Sequence, residues 1–231
     1  MEEEKKATEE IGTHQGAKLR EHVYHRLHER LLSGEYSPGD VLNQKQVAKE
    51  FGVSMSPVRE ALQRLSDAGY LRVLPRTGYL VTSMSATDLI ELAHVRALLE
   101  GEAAWQATSR ITPAEIEELK SLQDEAEAGG DTIFTNRRFH MVVAHAAGNS
   151  LAEKMIGDLL DRSERTLRVD PRMSGSNSGP WHRKLIESFE SRDREAARAW
   201  MRDHIVDIRM FVDASFPDSG PVSRSRPTTN L

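Results

Sequence analysis

Helical patterns cover most of this chain, and the single β-type interruption constrains the fold more than any other feature. Two short β-type runs lie at residues 70–74 and 79–82, and a Pro-Arg-Thr-Gly turn joins them. Helical patterns precede this hairpin, and every pattern after Met84 is helical. Three short helices followed by a two-stranded hairpin are typical of a winged helix-turn-helix. We therefore expect a domain of this type at residues 17–82.

Turn and cap residues divide the region before the hairpin into three helices. Asn43 can cap the second helix, with Gln46 at the capping-box position, and Gly52 can end it. Ser54 can cap the third helix, whose first turn tolerates Pro57. The first helix carries apolar residues at three-to-four spacing, namely Leu19, Val23, Leu27, Leu31 and Leu32. The link between the second and third helices is short, as a helix-turn-helix requires.

The remaining pattern predicts an antiparallel α-helical bundle of about six helices, so the fold class is mainly α. Ser85, Thr112 and Asn149 can cap three of these helices. The predicted helices span residues 86–109, 113–128, 132–147, 150–169, 180–191 and 193–214, within a domain at 85–216. We further expect a disordered arm at 1–16, a long loop at 170–179 and a flexible tail at 217–231.

Composition and charge narrow the classes of partner. The 231 residues include no cysteine, which excludes disulfides and thiol catalysis and fits the reducing cytoplasm. No apolar stretch approaches 18 residues, and the acid-rich N-terminus lacks the apolar core of a secretory signal, so no membrane contact is expected. The net charge of −5 is unevenly divided, because residues 17–84 hold ten Lys/Arg and seven Asp/Glu. The positive charge thus falls on the segment expected to meet DNA phosphates.

The third helix has the make-up of a recognition helix, with polar residues in its leading turn and an apolar face behind. Arg59 can bind guanine through two donors or clamp a phosphate, and Arg76 at the hairpin tip can enter the minor groove, with Gly78 allowing a sharp turn. A serine-rich helix start is, however, often only a cap. The candidate DNA-binding residues are Lys45, Ser54, Met55, Ser56, Arg59, Arg76 and Gly78.

Taken together, these residues resemble the GntR family of bacterial transcription regulators. The matching motifs are Ser-Pro-Gly-Asp at 37–40, Val-Ala at 47–48, Phe-Gly-Val-Ser at 51–54, Pro-Val-Arg-Glu-Ala-Leu at 57–62 and Ala-Gly-Tyr-Leu at 68–71. The resemblance implies a homodimer that binds a palindromic operator. One departure stands out, because the family usually has Arg-Thr where this chain has Met55 and Ser56. Methionine cannot make a bidentate base contact, although it can touch a thymine methyl, so we expect an altered base preference.

The second domain resembles the helical effector domain called FCD, found in the FadR branch of that family. Asn136 and His140 are four residues apart and share one helix face, while His182 and His204 fall on two later helices. Three imidazoles and one oxygen suit zinc, nickel or manganese. The oxygen is an aspartate in many metal-binding relatives, and the neutral Asn136 implies weaker binding. The alternative for these histidines is a set of hydrogen-bonded core residues.

Arg96 is the candidate for receiving a small organic acid, because it lies among the apolar residues Leu89, Leu92, Val95 and Leu99 and its guanidinium can bind a carboxylate bidentately. Its alternative role is a salt bridge to Glu100. The expected effector-binding residues are Arg96, Asn136, His140, His182 and His204. We expect a repressor that responds to such an acid and is not an enzyme. The alternative function is a metal-dependent hydrolase or isomerase, although no HExxH-type general base accompanies the histidines.

Overall fold

A computed structural model of the chain describes residues 2–169 and 179–207. The predicted tail and all but the last residue of the predicted loop at 170–179 lie outside these residues, as does the end predicted for the last helix. The chain divides into two compact units, Met1–Ser83 and Met84–Leu231. Each unit has its own hydrophobic core. The boundary lies between the two domains that the sequence predicts.

The first unit contains three helices and three short strands. In chain order they are α1 (Glu2–Leu32), β1 (Val41–Leu42), α2 (Gln44–Phe51), α3 (Met55–Asp67), β2 (Leu71–Leu74) and β3 (Gly78–Val81). The first helix begins at Glu2 and so covers the arm that we expected to be disordered. Glutamate, lysine and alanine dominate its start, and their high helix propensity outweighs the polar composition on which the prediction of disorder rested.

The strands form an antiparallel sheet in the order β1-β3-β2. The hairpin of β2 and β3 agrees with the predicted wing, with Leu71 opposite Val81. The sequence did not predict β1, which pairs Val41 with Leu80. Two residues are too short for an alternating pattern, so the sequence indicated only a turn there. Behind the sheet, the three helices enclose a core that includes Val23, Leu27, Leu31, Val58, Leu62, Leu65, Tyr79 and Val81.

The caps that the sequence predicts for α2 are present, whereas the one predicted for α3 is present only in position. The Asn43 side chain accepts a hydrogen bond from the Lys45 amide at 2.9 Å, and Gly52 ends α2 in the left-handed conformation with φ 65°. Ser54 occupies the cap position of α3 but makes no side-chain cap bond. Its hydroxyl is therefore not committed to the helix terminus.

The described part of the second unit consists of six helices, as predicted. They are α4 (Ala86–Ala107), α5 (Pro113–Glu127), α6 (Thr132–Ala146), α7 (Ser150–Val169), α8 (Gly179–Glu190) and α9 (Arg194–Val206). Capping boxes start α4 at Ser85 and α5 at Thr112, where the cap side chain and the acidic side chain three residues later bond each other's amides. The core includes Ala104, Leu119, Phe139, Ile156, Leu160 and Phe189. No helix in the described ranges is long and apolar enough to cross a membrane.

Candidate DNA interface and histidine cluster

The start of α3 is exposed, and the opposite face of the helix is buried. Ser54, Met55, Ser56 and Arg59 lie in solvent, and 45% of Met55 is accessible. The buried face consists of Pro57, Val58, Ala61, Leu62 and Leu65. This division places all the polar residues of the leading turn on one accessible surface, as the sequence predicts for a recognition helix.

Some basic side chains of the first unit are paired with carboxylates, whereas the candidate DNA-binding cations are not, in the part of the chain that the structure describes. Arg64 on α3 pairs with Glu21 on α1 at 2.8 Å, and Arg30 on α1 pairs with Glu50 on α2. Within the described residues, the exposed side chains of the candidate DNA-binding cations Lys45, Arg59 and Arg76 make no ion pair. Their positive charge is therefore available to an external anion, which is the electrostatic requirement for binding phosphate.

Gly78 and Arg76 shape the hairpin tip. Gly78 has φ 148°, and a Cβ built on it would lie 2.4 Å from the carbonyl oxygen of Leu42. Glycine is required here because β1 approaches the start of β3, so its role in the structure is to permit that approach. Arg76 adopts a left-handed conformation with φ 66° and extends into solvent.

In the second unit, His140 on α6, His182 on α8 and His204 on α9 come together. One ring nitrogen from each lies within 4.8 Å of the others. The Nε2 atoms of His140 and His204 are 3.2 Å apart. Burial, reinforced by the charges of the neighbouring histidines, lowers the pKa of His182 well below its usual range, and burial acts in the same way on the pKa of His204. Both rings are therefore neutral near pH 7, which is the form that binds a metal.

A buried carboxylate supports the cluster from one side. Glu100, which is 1% exposed, contacts Nδ1 of His140 through Oε2 and accepts a hydrogen bond from Arg96 Nε at 2.7 Å through Oε1. Burial raises the pKa of Glu100, but the charges of Arg96 and His140 outweigh burial and bring it to about 2. The carboxylate is thus ionised. Arg96 also donates to Ser163 Oγ at 3.3 Å. The salt bridge between Arg96 and Glu100, which the sequence offered as the alternative role of Arg96, is present.

His182 is held on the other side of the cluster. Its Nδ1 lies 3.1 Å from Gln123 Oε1, and its ring stacks on Phe139 with centroids 3.9 Å apart. Its Nε2 is buried and has no hydrogen-bond partner among the residues that the structure describes. Asn136, a half-buried residue, lines a pocket of about 80 Å³ together with His182, Gln123 and Thr135. His182 is the histidine of the cluster that lines this pocket.

Sequence reasoning missed some of this arrangement. Glu100 was considered only as a partner of Arg96, and Gln123 was not considered, because both meet their histidines across the bundle. Val95 was expected to face inward but is 46% exposed, since it lies off the buried stripe of α4. His94 and His145 are exposed, as expected for histidines outside the cluster.

Comparison with known proteins identifies both units. A model of the FCD domain matches residues 91–207, about half of the chain, and the model of bacterial regulatory proteins of the gntR family matches residues 19–81. The uncharacterized HTH-type transcriptional regulator YdhC of Bacillus subtilis is 27% identical over 190 residues, which cover 78% of this chain and 85% of YdhC. The HTH-type transcriptional regulator McbR of Escherichia coli is 29% identical over 183 residues, covering 74% of this chain and 82% of McbR.

A solved structure of E. coli McbR/YncC superimposes with a TM-score of 0.70 at 25% sequence identity, covering 86% of this chain and 98% of that one. Proteins of these families regulate transcription and are not enzymes, so the hydrolase or isomerase alternative is not favoured. GntR-type domains bind operator DNA, and FCD domains bind small effectors. The chain belongs to the GntR family of bacterial transcription regulators, with an FCD domain following its DNA-binding domain.

Proposed function

We propose that this chain is a cytoplasmic repressor that binds a palindromic operator as a homodimer and responds to a small organic acid bound in its second unit. The exposed leading turn of α3, with Arg59 available for an external partner, is the observation that carries the proposal. The E. coli HTH-type transcriptional repressor RspR, 24% identical over 202 residues, supports repression as the direction of regulation.

The proposed reading of DNA assigns different tasks to the residues at the helix start. Arg59 contacts guanine or phosphate, and the hydroxyls of Ser54 and Ser56 bind phosphate or base edges. Met55 offers an apolar contact to a thymine methyl. Lys45 contacts the phosphate backbone, and Arg76 at the hairpin tip enters the minor groove. The uncommitted hydroxyl of Ser54 and the exposed Met55 side chain support these assignments.

A pair of arginines on α3 tests the proposed DNA interface. Arg59→Ala should weaken binding to the chain's own promoter DNA by about 5- to 100-fold, the effect of losing one base or phosphate contact. Arg64→Ala is the matched control, because Arg64 is paired with Glu21 on α1. Fluorescence anisotropy over a range of salt concentrations provides the measurement. Equal affinities for the two variants would refute the assignment of α3 as the reading helix.

A substitution at Met55 tests the base specificity of the proposed recognition helix, α3. Binding-site selection from random DNA should give different consensus sequences for the natural protein and for Met55→Arg, because arginine restores a bidentate donor where methionine has none. Met55 is exposed, so the substitution should not disturb the fold. The same consensus from both proteins would show that this position does not read a base.

We assign Asn136, His140, His182 and His204 as the residues that would hold a divalent metal. The chemistry of the donors fits. Two nitrogens bound at about 2.0–2.1 Å to one ion lie about 3.0–3.5 Å apart, and the Nε2 atoms of His140 and His204 are separated by 3.2 Å. The buried Nε2 of His182, which accepts no hydrogen bond within residues 2–169 and 179–207, also fits a ligand role. Three imidazoles and a neutral amide favour zinc or nickel over manganese.

The proposed effector is a small carboxylate that reaches the histidines through the adjacent pocket. Gln123, Thr135 and Asn136 line this pocket with neutral polar groups. The carboxylate of Glu127 also lines it and is paired with Arg183. A bound metal would supply the positive charge that attracts the acid.

Arg96 was expected to receive the carboxylate directly, but its guanidinium is engaged with Glu100. We therefore propose that Arg96 acts on the site indirectly, by holding Glu100 beside His140. An effector acts by binding more tightly to one conformation of the regulator than to another.

Two histidines on α6 test the metal site. The natural protein and His145→Ala should retain Zn²⁺ after dialysis, whereas His140→Ala should lose most of it. His145 is a suitable control because it is exposed and pairs with Glu153 on the surface. Elemental analysis gives the metal content of each protein. Two separate measurements address the rest of the proposal: sedimentation tests whether the chain is a homodimer, and a promoter–reporter fusion tests whether it represses. Retention of zinc by His140→Ala, or its absence from the natural protein, would refute the site.

A further inference from the structure

The hydrogen bonds around His182 determine which of its nitrogens carries the proton. Gln123 donates through Nε2 to Glu127 Oε1 at 2.8 Å, and a carboxylate can only accept. The amide nitrogen therefore faces Glu127, and Oε1 faces His182 Nδ1 at 3.1 Å. Since this oxygen needs a donor, Nδ1 carries the hydrogen. The Nε2 atom of His182 is left with a lone pair in a buried position, without a hydrogen-bond partner in the described part of the chain.

His140 is oriented in the same way but by a charged group. Glu100 uses Oε1 to accept from Arg96 and Oε2 to accept from His140 Nδ1. The other ring nitrogen of His140, Nε2, faces His204. Two acceptors on different helices thus present the Nε2 atoms of two histidines to the same space. A fully buried ion pair such as Arg96–Glu100 rarely adds net stability, so its contact with the cluster suggests a role there.

We propose that Glu100 and Gln123 are positioning residues that direct Nε2 of His140 and His182 into the metal site, and that Glu100 supplies through His140 the negative charge that Asn136 does not. The inference rests on the metal site proposed above. A carboxylate bonded to a ligating imidazole fixes the ring and increases its basicity, and loss of such a partner typically lowers metal affinity 10- to 100-fold. Gln123 fixes its ring without adding charge, so its loss should have the smaller effect.

The substitution Glu100→Gln gives a sharp expectation. Arg96 Nε would still bond the side-chain oxygen, which turns the amide group toward His140 Nδ1. An NH₂ group there requires an acceptor, so the His140 proton moves to Nε2 and blocks its lone pair. We expect the affinity for Zn²⁺ to fall about 100-fold, at the upper end of the usual range. Glu102→Gln is the matched control, because this α4 carboxylate is exposed and binds Arg198 at 2.9 Å.

Two measurements on the full chain test the proposal. Long-range ¹H–¹⁵N correlation spectra of the metal-free protein, labelled at histidine, report which ring nitrogen is protonated. Competition with a chromophoric chelator gives the affinity for Zn²⁺. We expect Nδ1–H on His140 and His182 in the natural protein and in Glu102→Gln, and Nε2–H on His140 in Glu100→Gln with the weakened affinity. An unchanged His140 tautomer, or a loss of affinity below about threefold in Glu100→Gln, would overturn the proposal.

A second variant, Gln123→Met, keeps the proposal testable if Glu100→Gln does not fold. Gln123→Met has a similar volume and removes the acceptor for His182, together with the bond to Glu127, which keeps its bond from Arg183. We expect mixed His182 tautomers and a loss of affinity of about tenfold or less. A single unchanged Nδ1–H tautomer in this variant would refute the role of Gln123. If the natural protein binds no Zn²⁺ yet shows both predicted tautomers, the proposed metal site fails while the positioning of the rings is upheld.

Discussion

Replacing Gly78 with alanine tests the packing of the wing most directly. The added Cβ would lie 2.4 Å from the Leu42 oxygen, about 0.8 Å closer than an ordinary carbon–oxygen contact, and the neighbouring atom belongs to the backbone. A φ of 148° is also a conformation that is nearly restricted to glycine. Strain and displacement of β1 should together lower the free energy of unfolding of the first unit by about 2 to 5 kcal/mol.

Gly52→Ala is the matched control for the Gly78 substitution. Gly52 is left-handed, but a Cβ there meets nothing within 4 Å, so only the conformational cost of about 1 to 2 kcal/mol applies. The tryptophans at 105, 181 and 200 all lie in the second unit, so their fluorescence reports that unit, whereas circular dichroism reports both. In urea, Gly78→Ala should lower the unfolding midpoint of the first unit by about 1 to 5 M, and this shift should be visible by circular dichroism but not by tryptophan fluorescence. Equal midpoints for the two variants would contradict the proposed clash.

Three further substitutions address the second unit. Burial raises the pKa of Glu164 to about 7 although Arg137 lies 3.5 Å away. The folded state therefore binds the proton more tightly than the unfolded state, and the free energy of unfolding should fall as pH rises from about 4.5 to 7. Urea titrations at each pH should show a decline on the order of 2 kcal/mol, which Glu164→Gln should flatten. Thr112→Ala removes a capping box and should cost about 1 kcal/mol by the same titration, whereas Thr112→Ser should cost much less. Phe139→Ala removes a fully buried ring that stacks on His182, so it should cost about 3 to 5 kcal/mol and weaken zinc retention; a smaller cost would mean that the core closes over the gap.

The helices could be predicted because their signals are local. Capping residues such as Ser85 and Thr112 start helices by bonding amides only three residues away, and apolar periodicity marks the buried face of each helix. The two-residue strand β1 has no periodicity and exists only because β3 lies beside it. The first helix shows a different failure, since intrinsic helix propensity rather than an apolar face was the relevant signal.

From the sequence, the histidine cluster could be predicted only as a set of candidate ligands, without the residues that hold them. Asn136 and His140 share a helix face by spacing, and resemblance to the FCD domain pointed to His182 and His204. Their supporting partners are 40 residues away for His140 and 59 residues away for His182, on other helices. Such contacts depend on how helices pack against each other, which periodicity does not encode. Only the Arg96–Glu100 pair, four residues apart, was accessible from spacing.

Arg76 has a consequence for protein engineering. A left-handed residue other than glycine costs on the order of 1 kcal/mol, and Arg76 has φ 66° at the exposed end of the hairpin. Thermal stability alone would favour glycine at this position, whereas we propose that the arginine side chain contacts DNA. A library of this chain selected for heat resistance should therefore enrich glycine at position 76 and, in doing so, lose affinity for DNA. Selection would have to include operator binding to keep both properties.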